Sequence, residues 1–212
     1  MRTYGESCGI AHALDAIGER WAGLVVRELL LGPKRFTDLA ADLPGASTSV
    51  LSDRLRELEA RGIVARRPAA PPTRVQLYEL SSWGARLGPI LAALGDWGLG
   101  SPTFDPDLPV SDDAAALALR TYFVPGGKEW NADYELRIGR GVFDARVSHG
   151  HLALERGPAS HPDATLTTEA WPLTRMLGPN PDRRVRPDQV TGDLPLLQQL
   201  LAAVDIAAGV HL

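Results

Sequence analysis

A single cysteine, Cys8, stands in 212 residues, so no disulfide forms within one chain and a reducing compartment is expected. No apolar run approaches the roughly 20 residues of a membrane-spanning helix. The N-terminus has no basic stretch followed by an apolar one, as a secretory signal would. Cytoplasmic residence without a membrane partner is the expectation. There is no excess of positive charge either: Lys and Arg number 22 against 26 Asp and Glu, which is not the profile of a general nucleic-acid coat. The five histidines show no ligand spacing for a metal, since His149 and His151 are separated by one glycine without a cysteine or paired carboxylate nearby. No phosphate-cradling glycine loop, nucleophile elbow or catalytic dyad is present, and Gly139-Arg140-Gly141 lacks the rest of any nucleotide signature. Neither an enzyme nor a cofactor is expected.

What is present is an apolar share of 44%, enough to build real cores, in a chain long enough for two modest domains. Charge divides unevenly between the halves. Residues 1–100 carry 12 Lys/Arg against 11 Asp/Glu, whereas 101–212 carry 10 against 15. Within 34–74 the balance turns to eight basic and five acidic residues, so contact with a polyanion has to be local and directed.

That basic stretch holds the most informative pattern. Phe36, Leu39, Ala40 and Leu43 take helical spacing, and Pro44-Gly45 stops them, glycine being tolerant of positive φ. Ser47 then caps a second helix in which Leu51, Leu55 and Leu58 make one apolar stripe. At about 100° per residue, Ser49, Asp53, Arg56 and Ala60 fall on the far side with Ser52 on the flank. Gly62 ends the helix. Val64–Arg67 and Val75–Leu80 read as strands around a proline-rich tip. Helix, turn, capped helix and basic hairpin together make a winged helix-turn-helix, whose second helix enters a DNA major groove.

The flanking segments also read as helical. Residues 8–31 carry Ile10, Ala13, Leu14 and Ile17, then Leu24, Val25, Leu29 and Leu30 beyond Gly18, up to Gly32-Pro33. A helix from about Ser82 to Trp97 carries Leu87, Ile90, Leu91, Leu94 and Trp97. That stripe either forms the seam of a homodimer or packs on the N-terminal helix.

Ser101–Asp113, with Pro102, Pro106 and Pro109 among four acidic residues, reads as a linker. Domains are therefore expected at 1–100 and 112–212, joined by 101–111. After a helix at 114–123 the period changes to two. Ala132, Tyr134, Leu136 and Ile138 share one face, as do Phe143, Ala145 and Val147, with a hairpin at Ser148–His151 and a short strand at Ala164–Thr168. Trp171–Leu177 and Pro195–Val204 read as helices. The fold class is α+β, a winged helix-turn-helix followed by a sheet with one wet face and helices on the other.

For contact with double-stranded DNA, Lys34 and Arg35 suit phosphates, as do Arg66, Arg67 and Arg74 at the wing. Ser47, Thr48, Ser49 and Ser52 offer short hydroxyls, and Arg54 and Arg56 address guanines, Arg54 lying nearer the leucine stripe. The bland alternative is a solvated charge paired along the helix, Arg54 with Glu57 and Arg56 with Glu59.

Residues 8–98 resemble the HxlR family of bacterial winged-helix regulators, relatives of MarR. The resemblance rests on Cys8, Gly18-Glu19-Arg20-Trp21, Arg27–Phe36, Leu51–Leu58 and Tyr78-Glu79-Leu80-Ser81. It implies a homodimer on palindromic operator DNA, probing it with helix 47–61 and wing 64–80, and acting as a repressor. The wing tip departs from the pattern, as Ala69-Ala70-Pro71-Pro72 carries little charge and Trp83 replaces a polar residue. Cys8 resembles the sensing cysteine of several such regulators, and the alternative is a small buried residue. Roughly 112–206 are similar to the sterol-carrier-protein-like domain, on Tyr134–Ile138, Phe143–Val147, Pro162–Leu166 and Thr191–Leu197. That likeness implies an apolar small-molecule effector near Tyr122, Trp130, Tyr134, Phe143, Trp171 and Met176, each equally readable as core. A lipid or small-molecule carrier that keeps the winged helix for dimerisation or protein contact is the other reading.

Overall fold

The computed structural model describes residues 3–70, 72, 75–127, 129–177 and 185–206. They form two compact units, Met1–Leu91 and Ala92–Leu212. No helix among the described residues is long and apolar enough to cross a membrane.

The first unit begins with α1 (Gly9–Ile17) and α2 (Ala22–Leu29), where the periodicity predicted one helix. The break has a local cause. The Gly18 amide closes on the Leu14 carbonyl at 2.8 Å, and Trp21 then takes φ 78°, a left-handed conformation uncommon for a bulky residue. The edge of the Trp21 ring lies against Gly45, where an added Cβ would sit 2.6 Å from Cη2. Gly45 is therefore required by close approach and not by positive φ, since its backbone is outside the left-handed region. One tryptophan ties the first helical pair to the turn between the next two.

β1 (Lys34–Arg35), α3 (Phe36–Asp42) and α4 (Thr48–Ala60) follow. Ser47 caps α4 as expected, its Oγ accepting from the Val50 amide at 3.3 Å. Gly62 ends the helix at φ 71°, with Gly62 N–H donating to Glu59 O and Ile63 N–H to Leu58 O. That is a Schellman stop, with Ile63 and Leu58 buried together beside it. β2 (Val64–Pro68) and β3 (Gln76–Leu80) pair antiparallel, and β1 adds to the other edge of β3. The two-residue β1 has no alternation for a sequence pattern to catch.

α5 (Ser82–Ala85) and α6 (Leu87–Leu99) replace the single helix expected after the wing. The core gathers Val25, Val26, Leu29, Leu39, Leu51, Leu55, Leu58 and Ile63, with Leu87 and Leu91 packed against it. Each fully buried leucine contributes roughly 1.5–3 kcal/mol. The α6 stripe thus divides: Leu87 and Leu91 serve this core, while Ile90, Leu94 and Trp97 remain exposed.

The second unit runs α7 (Asp112–Thr121), β4 (Ala132–Ile138), β5 (Gly141–Ser148), β6 (His151–Arg156), β7 (Ala164–Thr168), α8 (Ala170–Leu177), β8 (Val190–Gly192) and α9 (Leu194–Ala202). Its sheet has the order β6-β5-β4-β7-β8, with β4 and β7 parallel and every other pair antiparallel. The predicted apolar faces appear as expected, but the opposite face is not uniformly wet: Glu135 is buried there, accepting from Arg137 Nε at 2.7 Å and from the Ala159 amide at 3.2 Å. Ala132, Tyr134, Leu136, Ile138, Phe143, Ala145 and Val147 are buried, and Asp133, Arg137 and Arg146 point the other way, joined by an Arg146–Asp133 ion pair at 2.6 Å. His149 and Gly150, both at positive φ, make the tight β5–β6 turn. Residues 191–197 divide into the edge strand β8 and α9, which Asp193 caps through the Leu196 amide at 3.0 Å.

Candidate nucleic-acid interface

α4 supplies the surface on which a duplex could rest. Its leucine stripe is sealed in the core, which turns Thr48, Ser49 and Arg56 outward, with Ser52 and Asp53 half-buried beside them. Val50, 39% exposed, adds an apolar point to the same helix. Sequence reading passed over Val50 because it carries neither hydroxyl nor charge, although its place off the leucine stripe was visible.

The arginines are less free than their sequence positions suggest. Arg54 Nη1 meets Glu57 Oε2 at 2.5 Å, and its side chain is only 14% exposed. Arg56 pairs backward with Asp53 at 3.0 Å instead of forward with Glu59. Glu59 is taken by Arg66, whose Nε and Nη2 both bond it at 2.7 Å in a two-point fork from β2 to α4. The same guanidinium lies 5.2 Å from the ring centre of Tyr78, its direct cross-strand partner. Arg67 pairs with Glu79 across the hairpin at 2.5 Å. Each of the four is thus held in place by a carboxylate.

Lys34 corrects the sequence reading. Expected at a phosphate, it is buried in β1, with Nζ 2.8 Å from Glu28 Oε2 and 2.5 Å from Asp42 Oδ2. Its ammonium ties α2, β1 and α3 together and does not reach the surface. Arg35, next in the strand, is exposed. Ser47 is exposed as well, but its hydroxyl oxygen serves the helix cap. Arg74 lies outside the described residues.

Cys8 is the N-cap residue of α1 and half-buried. The backbone amides of Ala11 and then Ile10 hold its thiol below the ordinary value. Alkylation by iodoacetamide should therefore begin at lower pH than for an unstructured thiol, whose midpoint is about 8.5. A labelling profile matching that of a free-cysteine peptide would remove any special reactivity.

The residues proposed for an apolar ligand in the second unit do not share one environment. Tyr122, Tyr134, Phe143 and Met176 are buried. The Tyr134 hydroxyl donates to Leu196 O at 3.1 Å and accepts from Trp130 Nε1 at 2.9 Å, and burial pushes its phenol upward. Trp130, half-buried, stacks at a tilt on Phe123 with centroids 5.8 Å apart. Trp171 differs from these buried residues: it is 45% exposed, with the Arg175 guanidinium 5.6 Å from its ring centre.

Comparison with known proteins bears on the N-terminal half of the chain. Residues 16–102 match the family described as HxlR-like helix-turn-helix. The chain is 43% identical over 86 residues to the uncharacterized HTH-type transcriptional regulator YvaP of Bacillus subtilis, covering 40% of this chain and 79% of that protein. It is 41% identical over 99 residues to the uncharacterized HTH-type transcriptional regulator sll1512 of Synechocystis, covering 44% and 72%. Among solved structures, the redox regulator HypR in its oxidized form aligns at 32% identity and a TM-score of 0.43, over 46% of this chain and all of that one.

Proposed function

Because the chain belongs, through residues 16–102, to the HxlR-like helix-turn-helix family, we propose that it is a DNA-binding transcriptional regulator that represses from palindromic operators as a homodimer. The observation carrying this reading is the division of α4 into a sealed leucine side and an outward side of hydroxyls, Val50 and the Asp53–Arg56 pair. Arg56 addresses a guanine from the helix, while Arg35, Arg66 and Arg67 set register on the phosphates. Exposed Ile90, Leu94 and Trp97, one turn apart along α6, form the seam, and a two-fold partner explains a palindrome.

The second unit takes the effector in this reading, consistent with the sterol-carrier likeness of 112–206. Its sheet carries helices over one apolar face, and half-buried Trp130 is the most accessible of the interior aromatic candidates. A ligand there alters operator affinity only by favouring one dimer geometry over another. Cys8 is the candidate for a response to oxidants.

Gel shift on the promoter nearest its own gene tests the reading. Arg56→Ala should weaken specific binding by about 10- to 100-fold. Arg66→Ala with Arg67→Ala should weaken binding to all sequences alike and flatten the salt dependence. No retardation of any duplex by the wild-type protein would end the reading. Native mass spectrometry of the purified chain identifies whatever small molecule accompanies it.

A further inference from the structure

At the middle of the outward side of α4 stands an acid. Asp53 has a side chain 51% exposed, and its Oδ1 lies 3.0 Å from Arg56 Nη1. Leu51 and Leu55 anchor the opposite side of the helix in the core, so Asp53 projects toward the place of the duplex in the reading above. A carboxylate there opposes the attraction of phosphates. Support of the helix does not account for it, since exposed pairs three residues apart contribute little stability. Of the four ion pairs on α4 and the wing described above, only Asp53–Arg56 leaves both members more than half exposed.

We infer that Asp53 is a specificity-determining residue, accepting from the exocyclic N4 amine of a cytosine while it steadies Arg56 over a neighbouring guanine. The inference rests on the regulator reading. In the major groove cytosine presents a donor, whereas guanine presents only acceptors and thymine a carbonyl and a methyl. An acceptor-only carboxylate therefore attracts the first and repels the other two, and at adenine the N7 acceptor beside the N6 amine opposes its second oxygen. Three residues at a helical rise of about 1.5 Å separate Asp53 and Arg56 by about 4.5 Å along the axis, near the base step of about 3.4 Å. One residue pair thus spans adjoining base pairs.

Selection from a randomised duplex library, using the full chain as wild type, Asp53→Ala and Asp53→Asn, tests this. The wild type should enrich cytosine about tenfold at one position of each half-site. Asp53→Ala should reduce that preference below about twofold while binding random duplex more tightly, because a repelling charge is gone. Asp53→Asn should shift the preference to adenine, whose N6 and N7 suit an amide. Thermal unfolding should be unchanged in both variants, which separates base reading from a structural role. The same preference from all three proteins would overturn the assignment and leave the regulator reading standing. A wild type that enriches no sequence would remove both.

Discussion

Replacing Lys34 with alanine is expected to destabilise the first unit by roughly 3–5 kcal/mol. The ammonium sits between Glu28 Oε2 and Asp42 Oδ2, and the Glu28 side chain is completely buried. Arg27 also reaches Glu28, at 2.7 Å, but lies at the surface end of the group. Loss of Lys34 leaves two carboxylates facing each other with little access to water, and that cost exceeds the worth of the original pairs. Urea unfolding followed by far-ultraviolet circular dichroism measures it. A second substitution, Glu28→Gln, in the Lys34→Ala background should recover part of the loss by removing one of the two facing charges. A loss under about 1 kcal/mol would mean the group behaves as a surface pair. A lysine whose task was to hold phosphate would show the reverse pattern, with intact stability and weaker DNA binding.

Gly84→Ala should cost about 3 kcal/mol, the upper end for overpacking. An added Cβ would lie 2.1 Å from the Ile63 carbonyl oxygen and 3.0 Å from its carbon. Both are backbone atoms, and neither can swing aside. The approach is fixed from two sides: the Ser81 amide donates to Ile63 O at 2.9 Å, and Ser81 Oγ donates to Gly62 O at 2.6 Å. The methyl therefore lifts α5 off the start of β2 and breaks those bonds. Alanine returns only about 0.5–1 kcal/mol of helix propensity, so the clash wins. Gly95→Ala provides the contrast. Nothing lies within 4 Å of a Cβ at Gly95, in α6, and the same exchange should stabilise by about 0.5–1 kcal/mol. Equal effects at the two sites would refute the steric account.

These two residues mark where sequence stops being enough. The leucine stripe of α4, the Ser47 cap and the Gly62 stop were legible because each follows from spacing within one helix. The apolar alternation of β4 and β5 was legible for the same reason, whereas the burial of Glu135 on the opposite face was not, since it depends on Arg137 and the Ala159 amide. The break at Trp21 was not legible either, because helical spacing does not mark a tryptophan as left-handed, and its ring packs on Gly45, 24 residues away. Lys34 read as surface because burial of an ammonium depends on partners from α2 and α3 that no local pattern reveals. The direction of the Arg56 pair escaped for a similar reason. Glu59, at suitable spacing, was already claimed by Arg66 from the wing.

The paired arginines have a consequence for how such a protein searches a chromosome. With Arg54, Arg56, Arg66 and Arg67 each neutralised at home, little field extends beyond the first layer of water. Random stretches of duplex then exert little hold, and excursions along them are brief. Strong grip arises only where matching base edges hold α4 close enough for the duplex to take a guanidinium from its resident carboxylate. Such a molecule loses speed in finding its target and gains time not spent on the wrong one.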